Sequence, residues 1–139
     1  DVNTDMFTNG VLNGGLLAPD QALLGDFAIN TATQDYFTSN GDLGEFLISG
    51  LNPAYGYRFS MFASRTGTAT RTTQYVISGT NTDTGTLVTT GTGIGNGGYD
   101  GNNDTIYMSD YVFPDASGNI QINISRAAGA FCYINAMKV

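Results

Sequence analysis

From Glu45 to Val139, apolar residues recur at every second position in short runs separated by turn clusters, and no amphipathic helix of three turns can be drawn anywhere in the chain. Successive side chains of a strand point to opposite faces, so this period commits the chain to half-buried strands and an all-β fold. Ile120, Ile122 and Ile124 alternate with Gln121, Asn123 and Ser125, which makes one dry and one wet face. Thr73, Tyr75 and Ile77 oppose Gln74, Val76 and Ser78 in the same way. Glu45–Ser49 reads as a strand, and the Gly50–Ala54 cluster turns it into Tyr55–Ser64, where Tyr55, Tyr57, Phe59, Met61 and Ala63 share one face and predict a core strand. A turn over Gly79–Gly85 leads to a short strand around Leu87 and Val88. Thr105–Phe113 and Phe131–Val139 supply two more strands. The spacing predicts an antiparallel, jelly-roll-like β-sandwich.

The first forty-odd residues are less regular. Pro19–Leu24 suits a single helical turn with proline at its first position, and Asp35–Thr38 a short extended segment. No fixed repeat of solenoid or propeller length is visible. At 139 residues the chain fits one domain with one core. The organisation expected is an N-terminal tail or donated strand over residues 1–15 and a single sandwich over residues 16–139.

Charge narrows the partners. Twelve acidic residues face five basic ones, for a net charge of −7, so no basic surface exists to neutralise phosphates and nucleic acid is not expected. Anionic membrane surfaces are disfavoured on the same ground, and the apolar runs are too short to insert into a bilayer. Charged residues make up 12% of the chain, about half the usual share, with Thr, Ser, Asn and Gly in their place, a composition of extracellular β-proteins. The start at Asp1, with no signal-like stretch, suits a processed secreted chain and equally a fragment. Cys132 is alone in an apolar run and reads as a buried thiol.

The run Ile48-Ser49-Gly50-Leu51-Asn52-Pro53-Ala54 is followed by Tyr57-Arg58-Phe59, Phe62-Ala63-Ser64-Arg65, Arg71, Thr73-Gln74-Tyr75 and Ser78-Gly79. Pro114-Asp115-Ala116-Ser117-Gly118 then precedes Ile120 and Ile122, and Tyr133-Ile134-Asn135-Ala136 ends the series. Together these resemble a bacterial module of the galactose-binding type, found in secreted and cell-surface proteins of Bacteroidetes-like bacteria and often attached to polysaccharide-degrading enzymes. The likeness covers most of residues 32–139. It implies a jelly-roll domain, a secreted or cell-surface location and a polysaccharide or glycan partner. Such modules usually open with an extra strand, and nothing before residue 16 matches it. The expectation is therefore an edge strand that is missing and supplied by another copy, or a tail that is donated outward, because an open edge templates pairing.

The residues allow little chemistry. Without histidine there is no Ser-His-Asp or Cys-His nucleophile, and Glu45 is the only glutamate, so the chain is expected not to be an enzyme. The glycine- and asparagine-rich loop over residues 91–104 is too long for a tight hairpin. Within it, Asp100, Asn102 and Asp104 place oxygens at alternate positions, the donor type calcium takes, with Asp110 as a distant contributor. The competing reading is a polar loop whose Asn, Asp and Gly tolerate positive φ. Sugar recognition combines an aromatic face with planar polar groups, and with no tryptophan tyrosine must substitute. Tyr99 and Tyr107, at the loop and just beyond it, are the candidates, with loop anchoring as the alternative for Tyr99. Arg65 and Arg71 bracket residues 66–70, where guanidinium forks could bind a carboxylate or sugar hydroxyls, or be paired internally. Two readings of function follow: a non-catalytic glycan-binding or adhesion module, and a structural subunit that assembles with copies of itself by strand exchange.

Overall fold

The computed structural model describes residues 8–11, 14–39 and 43–139, with the backbone alone for residues 8–11. Ten strands are ordered β1 (Thr8–Val11), β2 (Tyr36–Ser39), β3 (Gly44–Ile48), β4 (Ser60–Phe62), β5 (Arg71–Ser78), β6 (Thr82–Thr90), β7 (Tyr107–Met108), β8 (Ile120–Ala128), β9 (Cys132–Ile134) and β10 (Ala136–Lys138). Two four-residue helices, α1 (Gln21–Leu24) and α2 (Asn30–Thr33), precede β2. The fold is an all-β sandwich, and every strand pairing among the described residues is antiparallel.

One layer is the sheet β3-β8-β5-β6. Its centre is β8, whose Ile122 lies opposite Ile77 of β5 and Phe46 of β3, while Ile124 lies opposite Tyr75. Ile120, Ile122, Ile124, Tyr75 and Ile77 are fully buried, and each such side chain removed from water contributes about 1.5–3 kcal/mol. Threonine and aspartate cover the outer edge strand β6, which discourages edge-to-edge pairing. The facing layer has two pieces, β1-β2-β9 and β10-β4-β7, joined where Asn135 alone separates β9 from β10. Its inward residues Tyr36, Phe59, Met61, Cys132 and Ile134 complete the core.

The turns and termini depart from expectation in ways that have local causes. Only Ser60–Phe62 of the expected strand Tyr55–Ser64 is strand, and Tyr57 joins it through a lone bridge to Val112. Tyr55 was expected in the core and is 63% exposed. The Asn52 side chain accepts the Ala54 N–H at 3.0 Å, and the Tyr55 N–H bonds to Asn52 O at 3.1 Å, so the turn runs on to Tyr55. In the expected strand Thr105–Phe113, pairing covers Tyr107–Met108 and resumes at Val112, with one extra residue between. β6 begins at Thr82, inside the expected Gly79–Gly85 turn, and the Tyr107 ring lies where a Cβ on Gly85 would stand. α1 begins after Pro19, with Asp20 as its cap through a 2.8 Å bond from the Ala22 N–H. The second helix, α2, was not anticipated.

The N-terminal segment differs most. β1 pairs with β2 of the same chain, Thr8 opposite Thr38 and Val11 opposite Tyr36, so this part of the expected tail is a strand of the chain's own sheet. The Gly15 and Leu16 N–H groups bond to Gln34 O and Thr33 O, both at 2.8 Å. Residues 1–7 and 12–13 of that tail lie outside the described residues. Leu16, Leu24 and Phe27 then form a second small core over Phe62, the outward-facing neighbour of Met61 on β4.

Candidate functional site

The long loop is held by its own side chains. Asn102 is 2% exposed and donates to Ala63 O at 2.9 Å and Thr105 O at 2.7 Å, while its amide oxygen accepts the N–H groups of Asp104 at 3.3 Å and Thr105 at 2.9 Å. Two accepted bonds occupy that side-chain oxygen, so Asn102 folds the loop. Asp100 accepts the Gly93 N–H at 2.7 Å, and Asp104 accepts the Thr105 hydroxyl at 2.9 Å. Asn103 exchanges bonds with the Asn96 backbone at 2.7 and 3.1 Å. Among the described residues, no three His, Cys, Asp or Glu side chains are grouped to hold a metal.

Both loop tyrosines are packed inward. The Tyr99 hydroxyl bonds to the Thr66 hydroxyl, and its ring packs against the Leu16–Phe62 core. Tyr107 stacks on Tyr75 with ring centres 5.5 Å apart and 5° between planes, and its hydroxyl donates to Asp83. Burial and the Asp83 and Asp110 carboxylates push its phenol well above the ordinary range, so it stays protonated as a donor. Both rings are half-buried. Cys132 is buried as expected, and burial raises its thiol pKa.

The two arginines do meet. Arg65 and Arg71 line a cleft of about 200 Å³ with Tyr36, Thr38, Phe131 and Tyr133. Arg71 Cζ stands 4.6 Å from the Phe131 ring centre, and it donates to the Tyr133 hydroxyl. Among the described residues, neither arginine is paired with a carboxylate. The one ion pair among the described residues is Lys138–Asp26. A larger hollow of about 470 Å³ between β6 and the long loop is lined by Thr86, Leu87, Val88, Ile94, Asn102, Asp104 and Thr105, with neither an aromatic ring nor a cation.

A further surface escaped the sequence analysis. Tyr57 and Val112 exchange both backbone bonds at 2.9 Å, so Arg58 stands opposite Tyr111 and Gly56 opposite Phe113 on the outward face. Arg58 Cζ lies 4.6 Å over the Tyr111 ring and its Nη1 is 3.8 Å from Met108 Sδ. The Phe113 ring lies over Gly56, where a Cβ would stand 3.1 Å from its Cζ. Behind this face, Asn81 accepts the Phe113 N–H at 2.8 Å and donates to Tyr111 O at 2.9 Å, while the Thr80 N–H donates to Phe113 O at 2.8 Å. Val112 is fully buried, whereas Tyr111 is 56% and Phe113 42% exposed. The alternation Tyr111-Val112-Phe113 within the expected strand Thr105–Phe113 is the available signal. No family model and no curated protein sequence matches the chain.

Proposed function

We propose that the chain is a non-catalytic, secreted or cell-surface glycan-binding module that docks sugar rings on the ledge made by Tyr111, Phe113 and Arg58. The observation that carries this reading is the pinning of the backbone at residues 111–113 by Thr80, Asn81 and the Tyr57 bridge while two aromatic rings stay exposed. Aromatic surface is normally drawn into a core. Held rigid and outward, it offers the apolar face of a pyranose a partner with little further entropy to lose. Arg58, laid over Tyr111, brings planar donors to the same face for hydroxyl groups.

Affinity electrophoresis through gels containing a panel of neutral and acidic polysaccharides tests the reading. At least one polysaccharide is expected to retard the chain, and the Tyr111→Ala/Phe113→Ala variant, still folded with a cooperative melting transition, to migrate freely. Free migration of the wild type through every gel, or equal retardation of the variant, overturns it.

One feature favours the second reading, assembly by strand exchange. Among the described residues, β1 is four residues long, pairs with β2 alone at the margin of its sheet, and does so with a register irregularity. Such a strand is the easiest to trade with another copy. Light scattering across a concentration series separates the two: regular polymers that disappear on deletion of residues 1–15 favour assembly, and a persistent monomer ends it.

A further inference from the structure

The opposite end of β5 from the ledge carries a feature that the packing of the core does not require. Arg65 Cζ lies 5.9 Å and Arg71 Cζ 5.7 Å from the centre of the same Tyr133 ring, so the two positive charges are no farther apart than the sum of those distances. Two of the chain's five cations thus share one small cleft, in a molecule with twelve acids. Among the described residues, no carboxylate forms an ion pair with either of them.

The cleft is also built. The Tyr133 backbone is fixed by its N–H bond to the Thr73 hydroxyl at 2.9 Å and by the Tyr75 hydroxyl on its carbonyl at 3.1 Å. Tyr36 meets its ring edge-on at 5.0 Å. The Arg65 N–H bonds to Thr89 O at 3.1 Å, and the Thr89 hydroxyl bonds to Arg71 O at 3.3 Å, which ties both arginines to the same residue of β6. Of the five N–H donors on each guanidinium, Arg71 commits one to the Tyr133 hydroxyl, and Arg65 makes no side-chain bond among the described residues. The half-buried Phe131 ring completes the wall.

We infer that this cleft is a second binding site, specific for a carboxylate-bearing sugar ring. The carboxylate accepts the free N–H groups of Arg65 and Arg71 while the ring lies against Phe131. A carboxylate is the group whose geometry a guanidinium fork matches. The cleft volume of about 200 Å³ accommodates one sugar ring rather than a chain, so the site would read a single uronate unit of a longer acidic polysaccharide. This inference rests on the glycan-binding reading but uses none of the ledge residues.

The test is calorimetric titration of the full chain with trigalacturonate and trimannuronate, each alongside its methyl ester, which keeps the rings and removes the charge. N-acetylglutamate supplies a carboxylate with no ring. At least one acid trisaccharide is expected to bind tenfold or more tighter than its ester. That preference should weaken as salt is raised and be lost in Arg65→Gln and in Arg71→Gln, but persist in Tyr111→Ala. Arg65→Gln alone decides the matter if Arg71→Gln fails to fold, since Arg71 packs on Phe131. Equal binding of every acid and its ester, or an undiminished preference in Arg65→Gln, overturns the inference. N-acetylglutamate binding as tightly as the trisaccharides overturns it in favour of an acidic peptide. Retardation by neutral polysaccharides that Tyr111→Ala abolishes, with no preference for acid over ester, sinks the second site and leaves the glycan-binding reading standing. No binding by any sugar in either experiment sinks both.

Discussion

The outward face of the β10-β4-β7 layer has two halves of similar chemistry and opposite fates. On one half, Phe62 is fully buried beneath Leu16, Leu24 and Phe27 from the N-terminal segment, with Ala136 partly covered beside it. On the other, Met108, Tyr111 and Phe113 stay in water although they are as apolar as their covered neighbours. The covered half is ordinary stabilisation. The bare half is braced from behind by Asn81 and Val112, so its exposure is a property of a rigid backbone and not of a loose one. Aromatic surface that is both rigid and uncovered is what a binding surface needs, and this contrast is the basis of the functional reading.

The comparison is broken if the halves respond alike to truncation. Phe62→Ala is expected to destabilise the fold by about 3–5 kcal/mol in urea unfolding, because it empties a fully buried ring site. Asn102→Ala should cost about 1–3 kcal/mol in the same measurement, since it strips two backbone N–H groups and two carbonyls of their partner. It tests whether the long loop, whose Tyr99 packs against the covered half, is held from within. Phe113→Ala on the bare half, whose ring is only partly buried against Gly56, should cost about 1 kcal/mol, well short of Phe62→Ala, while abolishing retention on the polysaccharide that binds. A loss as large as that of Phe62→Ala would show that the ledge is structural.

The smallest expected effect sharpens the boundary of the covered half, where Lys138 pairs with Asp26 at the surface. The Lys138 ammonium, through its hydrogen bond and its charge, holds the Asp26 carboxyl below its ordinary range. A depressed carboxyl contributes stability above its unfolded pKa and loses it as pH falls through the lower folded value. Melting temperature should therefore drop slightly in acid below about pH 4, and Lys138→Met should remove that part of the slope. High salt should remove it as well, because the pair is exposed.

How far the sequence was legible depended on whether parity survived. Over Thr73–Ser78 of β5 and Ile120–Ser125 of β8 the period of two runs unbroken, and Thr73, Tyr75, Ile77, Ile120, Ile122 and Ile124 are all buried. Between Tyr107 and Val112 the extra residue at Ser109–Asp110 changes parity: Ser109 takes the Phe59 N–H on its hydroxyl at 2.9 Å and turns the chain. A one-residue shift sends Tyr107 inward but Tyr111 and Phe113 outward. Nothing local announces that bulge. The candidate site was legible to the same extent. Arg65 and Arg71 were singled out and share a cleft, but their company of Tyr36, Phe131 and Tyr133 comes from distant strands. Tyr99 and Tyr107 were chosen for their glycine-rich surroundings, yet Gly85 and Gly101 are the spaces these rings fill.

The sequence by itself determined an all-β chain with its central strands in place, without histidine and with a net charge of −7, because period, composition and charge are sums over residues that no fold can alter. The tertiary structure alone decided which aromatic rings are covered, which remain in water and which arginines stand together. Those outcomes depend on contacts between segments remote in the chain, as when Leu16 meets Phe62 and Arg65 meets Tyr133, and such contacts leave no mark on the residues beside them.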